Sequence, residues 1–114
     1  MPLSVLLHCN NLNSTRACYQ ALGFTVTDTP ESTLTVALED CRLVFTEQHL
    51  WPTPVSLSGT LYLAISDVDH YFERVKDQAD IAWPVQLMPY GSREFAVRDC
   101  NGYLLAFTQR STAQ

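Results

Sequence analysis

A chain of 114 residues is one domain's worth, long enough to bury roughly two-thirds of the surface its unfolded form exposes. With 46% hydrophobic and 17% charged residues it reads as a globular protein. A net charge of -5, with only seven scattered Lys and Arg, argues against a nucleic-acid partner, because neutralising phosphates needs clustered cations.

The first element is the aliphatic run from Leu3 to His8, a strand. Asn11 or Asn13 then caps a helix that runs to about Leu22, and Gly23 stops it. Three strand-like runs follow at Phe24–Asp28, Thr33–Glu39 and Arg42–Glu47. The prolines and glycine of "QHLWPTPVSLSG" read as a linker over residues 48–59.

The second half repeats the first. A strand from Thr60 to Ile65 leads to Asp67 as a cap and a helix to about Gln78. Val68, Tyr71, Phe72 and Val75 make its apolar face, and Asp69 and Lys76 suit its dipole. Strands are expected at about Ile81–Val85, Arg93–Arg98 and Tyr103–Thr108. The strand–helix units superimpose at an offset of 56 residues, Ser4 onto Thr60 and Leu12 onto Val68. Late phrases also echo: "VALEDCRLVFTEQ" and "FAVRDCNGYLLAFTQ" both run strand, polar turn, aliphatics, Phe, Thr, then Glu or Gln. In their turns Gly102 supplies any positive φ, and Asp99 caps.

The expected fold is therefore α+β, two βαβββ modules, residues 3–47 and 60–109, in a single domain with a tail at 110–114. Each sheet has a helix on one face and cannot bury both faces alone, so the two are expected to pack around a cleft. Leu61, Leu63, Ile65, Phe95, Val97, Leu105 and Phe107 share the helix-side parity. Ser4, Leu6, His8, Thr60, Tyr62, Ala64, Glu94, Ala96, Arg98, Leu104, Ala106 and Thr108 fall on the other, a mixed face that lines either solvent or a cleft, the cleft being favoured if both halves curve toward each other.

"NNLNSTRACYQALGF", "AISDVDHYFERVK" and above all "REFAVRDCNGYLLAFTQ" resemble motifs of the vicinal-oxygen-chelate superfamily, also called the glyoxalase, bleomycin-resistance and extradiol-dioxygenase group. The resemblance spans Leu3 to Gln109. It implies the doubled module and, in metal-dependent members, His and Glu ligands on the inner strand faces. Those positions fall here on Ser4, Thr60 and Ala106, with a fourth near Val44. None offers an imidazole or carboxylate. The resemblance thus implies a metal-free, cofactor-free binding protein of the bleomycin-resistance type, a homodimer that traps a small molecule without altering it. The runner-up is an enzyme of the glyoxalase or dioxygenase type whose metal sits on His8, Glu47 and His49. A structural dimer with a filled cleft is the third possibility.

The residues expected at the ligand are His8, Trp51, Tyr62, Tyr90, Glu94, Arg98 and Leu104. Aromatics grip a large planar molecule, and Glu94 with the acidic balance suits a cationic one. Each has a plainer alternative. His8 bonds a neighbouring strand or Glu94, Glu94 and Arg98 pair with each other, and Trp51 covers a dimer seam. Trp83 is expected in the core, Arg93 and His70 in solvent. Cys9 and Cys100 lack an activating histidine and are expected to be inert. Without a CxxC pair, a signal-like opening or a run of the ~20 apolar residues that span a bilayer, the protein is expected to be cytoplasmic, with reduced thiols and no membrane contact. The Asn13-Ser14-Thr15 sequon is then chance.

Overall fold

The computed structural model describes residues 4–50 and 59–110. The chain divides between Gly59 and Thr60 into two compact units. The first runs β1 (Ser4–His8), α1 (Leu12–Ala21), β2 (Thr25–Thr29), β3 (Thr33–Leu38) and β4 (Cys41–Thr46). The second runs β5 (Thr60–Ala64), α2 (Val68–Val75), β6 (Asp80–Leu87), β7 (Ser92–Arg98) and β8 (Leu104–Arg110). Each is a βαβββ module, and the α+β class expected from the repeat is the observed one. Among the described residues no helix is long and apolar enough to cross a membrane.

In the first module the sheet order is β1-β4-β3-β2. β1 pairs with β4 in parallel, and the β2–β3 and β3–β4 pairs are antiparallel hairpins. Asn11 resolves the capping alternative: its Oδ1 accepts the Ser14 N–H at 2.8 Å. Gly23 leaves the helix at φ 83°, where a Cβ would be strained. Tyr19 of α1 is fully buried against Phe24 and Phe45, ring centroids 5.0 and 5.3 Å away. Leu34, Val36 and Leu43 complete that core.

The second module repeats the order as β5-β8-β7-β6. Asp67 Oδ1 accepts the His70 N–H at 3.0 Å, starting α2 where the sequence places it. The helix ends at Val75, three residues earlier than expected. The Gln78 and Ala79 N–H groups both turn back to the Val75 carbonyl and close the last turn tightly before β6. Tyr71 and Phe72 pack on Phe95 and Phe107 at centroid distances of 4.8 to 5.8 Å. Burial holds the Tyr71 hydroxyl well above the ordinary tyrosine range. β6 is longer than expected and carries register shifts on both sides of Trp83. Pro84 cannot donate to a ladder, which confines this strand to the sheet edge and favours bulges.

The echoed phrase has a structural meaning. Glu47 Oε2 accepts the N–H of Leu12, the first residue of α1, at 2.7 Å. Gln109 Oε1 accepts the N–H of Val68, the first residue of α2, at 2.7 Å. The residue that ends each Phe-Thr-(Glu/Gln) run thus ties the last strand of a module to the start of its helix. The threonines repeat too: Cys9 N–H reaches Thr46 O, and Ile65 N–H reaches Thr108 O, both at 2.9 Å.

Candidate functional site

Register defines the face of the second sheet that α2 does not cover. Directly paired residues project to one side, giving a row Trp83, Ala96, Ala106, Tyr62 across β6, β7, β8 and β5. The next row is Gln86, Glu94, Thr108, Ala64, and the row before is Asp80, Arg98, Leu104, Thr60. Phe95 and Val97 of "SREFAVR" face α2, so Glu94, Ala96 and Arg98 must face away.

Glu94 is the unusual member. It has 0% of its surface exposed, in a row otherwise polar or small. Its Oε1 accepts the Tyr90 hydroxyl at 2.6 Å. Its Oε2 is buried and has no hydrogen-bond partner among the described residues. The hairpin turn after β6 creates this contact. Gly91, at φ 94°, turns its N–H to the Met88 carbonyl at 2.9 Å, and Met88 N–H closes on Ser92 O at 2.8 Å. That folds Tyr90 back over the strand so that its hydroxyl reaches inward, although 63% of the residue remains exposed. The Glu94 hydrogen bond, ahead of partial desolvation, pushes the Tyr90 pKa up to about 12. Tyr62, 60% exposed, lies close enough to raise it further.

An open pocket of about 550 Å³ adjoins this group. Tyr62, Ala64, Ile65, Ser66, Ser92, Thr108 and Gln109 line it. Glu94 lies between Ser92 and Thr108 on the same face: two positions from the first, directly paired with the second. Trp83 Nε1 is likewise buried without a hydrogen-bond partner, on the row beside Glu94.

Of the residues expected at a ligand, the fold therefore gathers Tyr62, Tyr90 and Glu94. Leu104 is half-buried beside Arg98 in the neighbouring row. Arg98 does not pair with Glu94; its partner is the residue directly across from it on β6. It donates instead to Asp80 at 3.5 Å, and both are exposed. Arg93, on the opposite parity, forms a two-pronged pair with Asp69 in the first turn of α2 at 2.8 and 2.9 Å. That guanidinium holds the Asp69 carboxyl below its ordinary range. Trp83, expected in the core, is half-buried opposite Ala96. Trp51 lies outside the described residues. The pocket residues Ser66 and Ser92 carried no signal in the sequence, being small polar residues at strand ends.

In the first module His8 ends β1 beside His49, ring centroids 4.6 Å apart. Glu47, the third residue of the alternative metal set, is committed through Oε2 to the Leu12 N–H. Among the described residues no three of His, Cys, Asp and Glu come together in a metal-binding group. The metal positions of the resembled family hold Ser4, Val44, Thr60 and Ala106, whose donor chemistry does not fit a divalent ion. Cys9, Cys18, Cys41 and Cys100 form no disulfide.

The chain matches the family described as the glyoxalase/bleomycin resistance protein/dioxygenase superfamily over residues 3–107. No curated protein sequence matches it. Among solved structures it is similar to TioX from Micromonospora sp. ML1, with 24% identity, a TM-score of 0.76 and coverage of 97% of this chain and 99% of that one. A bleomycin resistance determinant encoded on the transposon Tn5 shares 20% identity at a TM-score of 0.76, covering 96% and 97% of the two chains. A glyoxalase/bleomycin resistance protein/dioxygenase from Alicyclobacillus acidocaldarius shares 16% at 0.75, covering 96% and 91%.

Proposed function

The chain belongs to the glyoxalase/bleomycin resistance protein/dioxygenase superfamily, and from that premise we propose that it is a metal-free protein that binds a bulky planar small molecule and sequesters it unchanged. The reading includes a cytoplasmic homodimer. The observation that carries it is the pocket of about 550 Å³ on the open face of the second sheet, rimmed by Tyr62 beside Tyr90. A space of that size with aromatic and small polar walls suits a drug-sized ligand. Sequestration is supported over metal-dependent turnover by the side chains: the ligand positions of metal-dependent members hold Ser4, Val44, Thr60 and Ala106. The likeness to the transposon-borne bleomycin resistance determinant supports the same reading.

The experiment is a thermal-stabilisation screen against bleomycin-like, mitomycin-like and other planar natural products. A ligand at a hundred times its dissociation constant adds about 2.7 kcal/mol to the native state. Mass spectrometry should recover it intact after prolonged incubation. A time-dependent product that disappears with a chelator would replace this reading with the second one. That second reading, a metal-dependent enzyme on unusual ligands, rests on the adjacent rings of His8 and His49. Elemental analysis showing one divalent ion per chain would favour it.

A further inference from the structure

We propose that Glu94 is the anchor for a protonated nitrogen, so that the ligand of the second module is an aromatic cation. This rests on the reading of that face as a ligand site, and adds the charge and the atom that receives it.

A fully buried carboxylate with a single hydrogen bond is costly, because an unmet acceptor loses its water without replacement. Glu94 Oε2 is such an acceptor. The two arginines nearest in sequence do not relieve it: Arg93 projects to the helix side and holds Asp69, and Arg98 holds Asp80. Among the described residues no cation forms an ion pair with Glu94. A charge-assisted N–H···O bond from outside would supply both the missing donor and the missing charge.

The surroundings suit the same guest. Tyr62 and Tyr90 are the large exposed side chains here, and their rings offer electron-rich faces to an ammonium or amidinium group. The pocket beside them has room for a fused bicyclic body. Tyr90, on an exposed four-residue turn, bonds Oε1 alone and leaves Oε2 as the acceptor open to a guest's N–H. The first module offers no equivalent. The matching position is Thr33, whose hydroxyl is engaged with Thr29 and the Pro30 carbonyl. The asymmetry assigns the acidic subsite to one module.

Two isosteric probes test this by calorimetric titration: 2-naphthylmethylammonium and the neutral 2-naphthylmethanol. The cation is expected to bind at least about tenfold more tightly, the value of one charge-assisted bond. Glu94→Gln, checked for a native circular dichroism spectrum, should abolish the preference while both probes still bind. Tyr90→Phe releases Oε1 as well and should widen the preference a few-fold, an independent reading should the glutamine variant not fold. Equal binding of the two probes to the unaltered protein, unmoved by Tyr90→Phe, overturns the anchor and leaves the pocket standing. Binding of neither probe overturns both the anchor and the ligand-site reading beneath it.

Discussion

The two side chains that end the repeated phrase do equal work by different chemistry. Glu47 brings a carboxylate and Gln109 a neutral amide, yet each accepts the first N–H of its helix at 2.7 Å. An unsatisfied N–H at a helix start is compensated by water only if water reaches it, and the Gln109 contact is partly buried. Gln109→Ala and Glu47→Ala should therefore each destabilise by about 1 kcal/mol in urea melts. Equal losses would show that the amide matches the charge. A second residue-scale strain lies in the β2–β3 turn, where Glu31 and Ser32 hold φ of 63° and 59° without a glycine. The left-handed region is costly for side chains with a Cβ, so Glu31→Gly should stabilise by about 0.5 to 1 kcal/mol, read as a raised melting temperature. Neither feature was legible in advance. The capping residues lie 35 and 41 positions from the groups they serve, and a strained turn looks like any polar one.

At the scale of elements, α2 is secured at both its faces. Its buried side meets Phe95 and Phe107, which stack at 5.3 Å and are both inaccessible to solvent. Phe107→Ala removes a ring from the middle of that cluster and should cost about 3 to 5 kcal/mol, measured by denaturant unfolding. Its exposed start is tied by the Asp69–Arg93 pair. The Asp69 pKa is lowered in the folded protein, chiefly by the Arg93 hydrogen bond. The unfolded chain therefore takes up the proton first as pH falls. The pair's contribution is present above the ordinary carboxylate range near pH 4 and is lost as pH drops through the lowered value. Asp69→Asn should lower the urea midpoint relative to the unaltered protein at pH 7, with the gap closing by pH 2. Both charges are half-exposed, so the effect should also shrink in high salt.

For the molecule as a whole, the sequence revealed more of the frame than of the site. Alternation and helix periodicity act locally, so they marked ten elements in the right order, and the repeat supplied the division into two βαβββ modules. The ends of α2 and β6 escaped because a tight backbone turn and an edge-strand proline set them, not hydrophobic pattern. The site was legible as a face, through strand parity, but not as contacts. Tyr90 over Glu94 depends on how a four-residue turn folds, and the alternative of a Glu94–Arg98 pair overlooked Asp80, the cross-strand neighbour that Arg98 holds. One whole-chain consequence can be measured without knowing the ligand. Metal-dependent members draw ligands from strands in both halves of the chain, so a resident ion would tie residues remote in sequence. Structural metals contribute apparent free energies on the order of 10 kcal/mol, and stripping one collapses the melting temperature. Here the matching positions are Ser4 and Val44 in one module and Thr60 and Ala106 in the other, none an anionic or imidazole donor. Prolonged dialysis against EDTA should leave the melting temperature and naphthyl-probe affinity unchanged, and zinc or manganese added back should restore nothing. A fall of ten degrees on chelation, reversed by one metal, would instead place an ion in the fold.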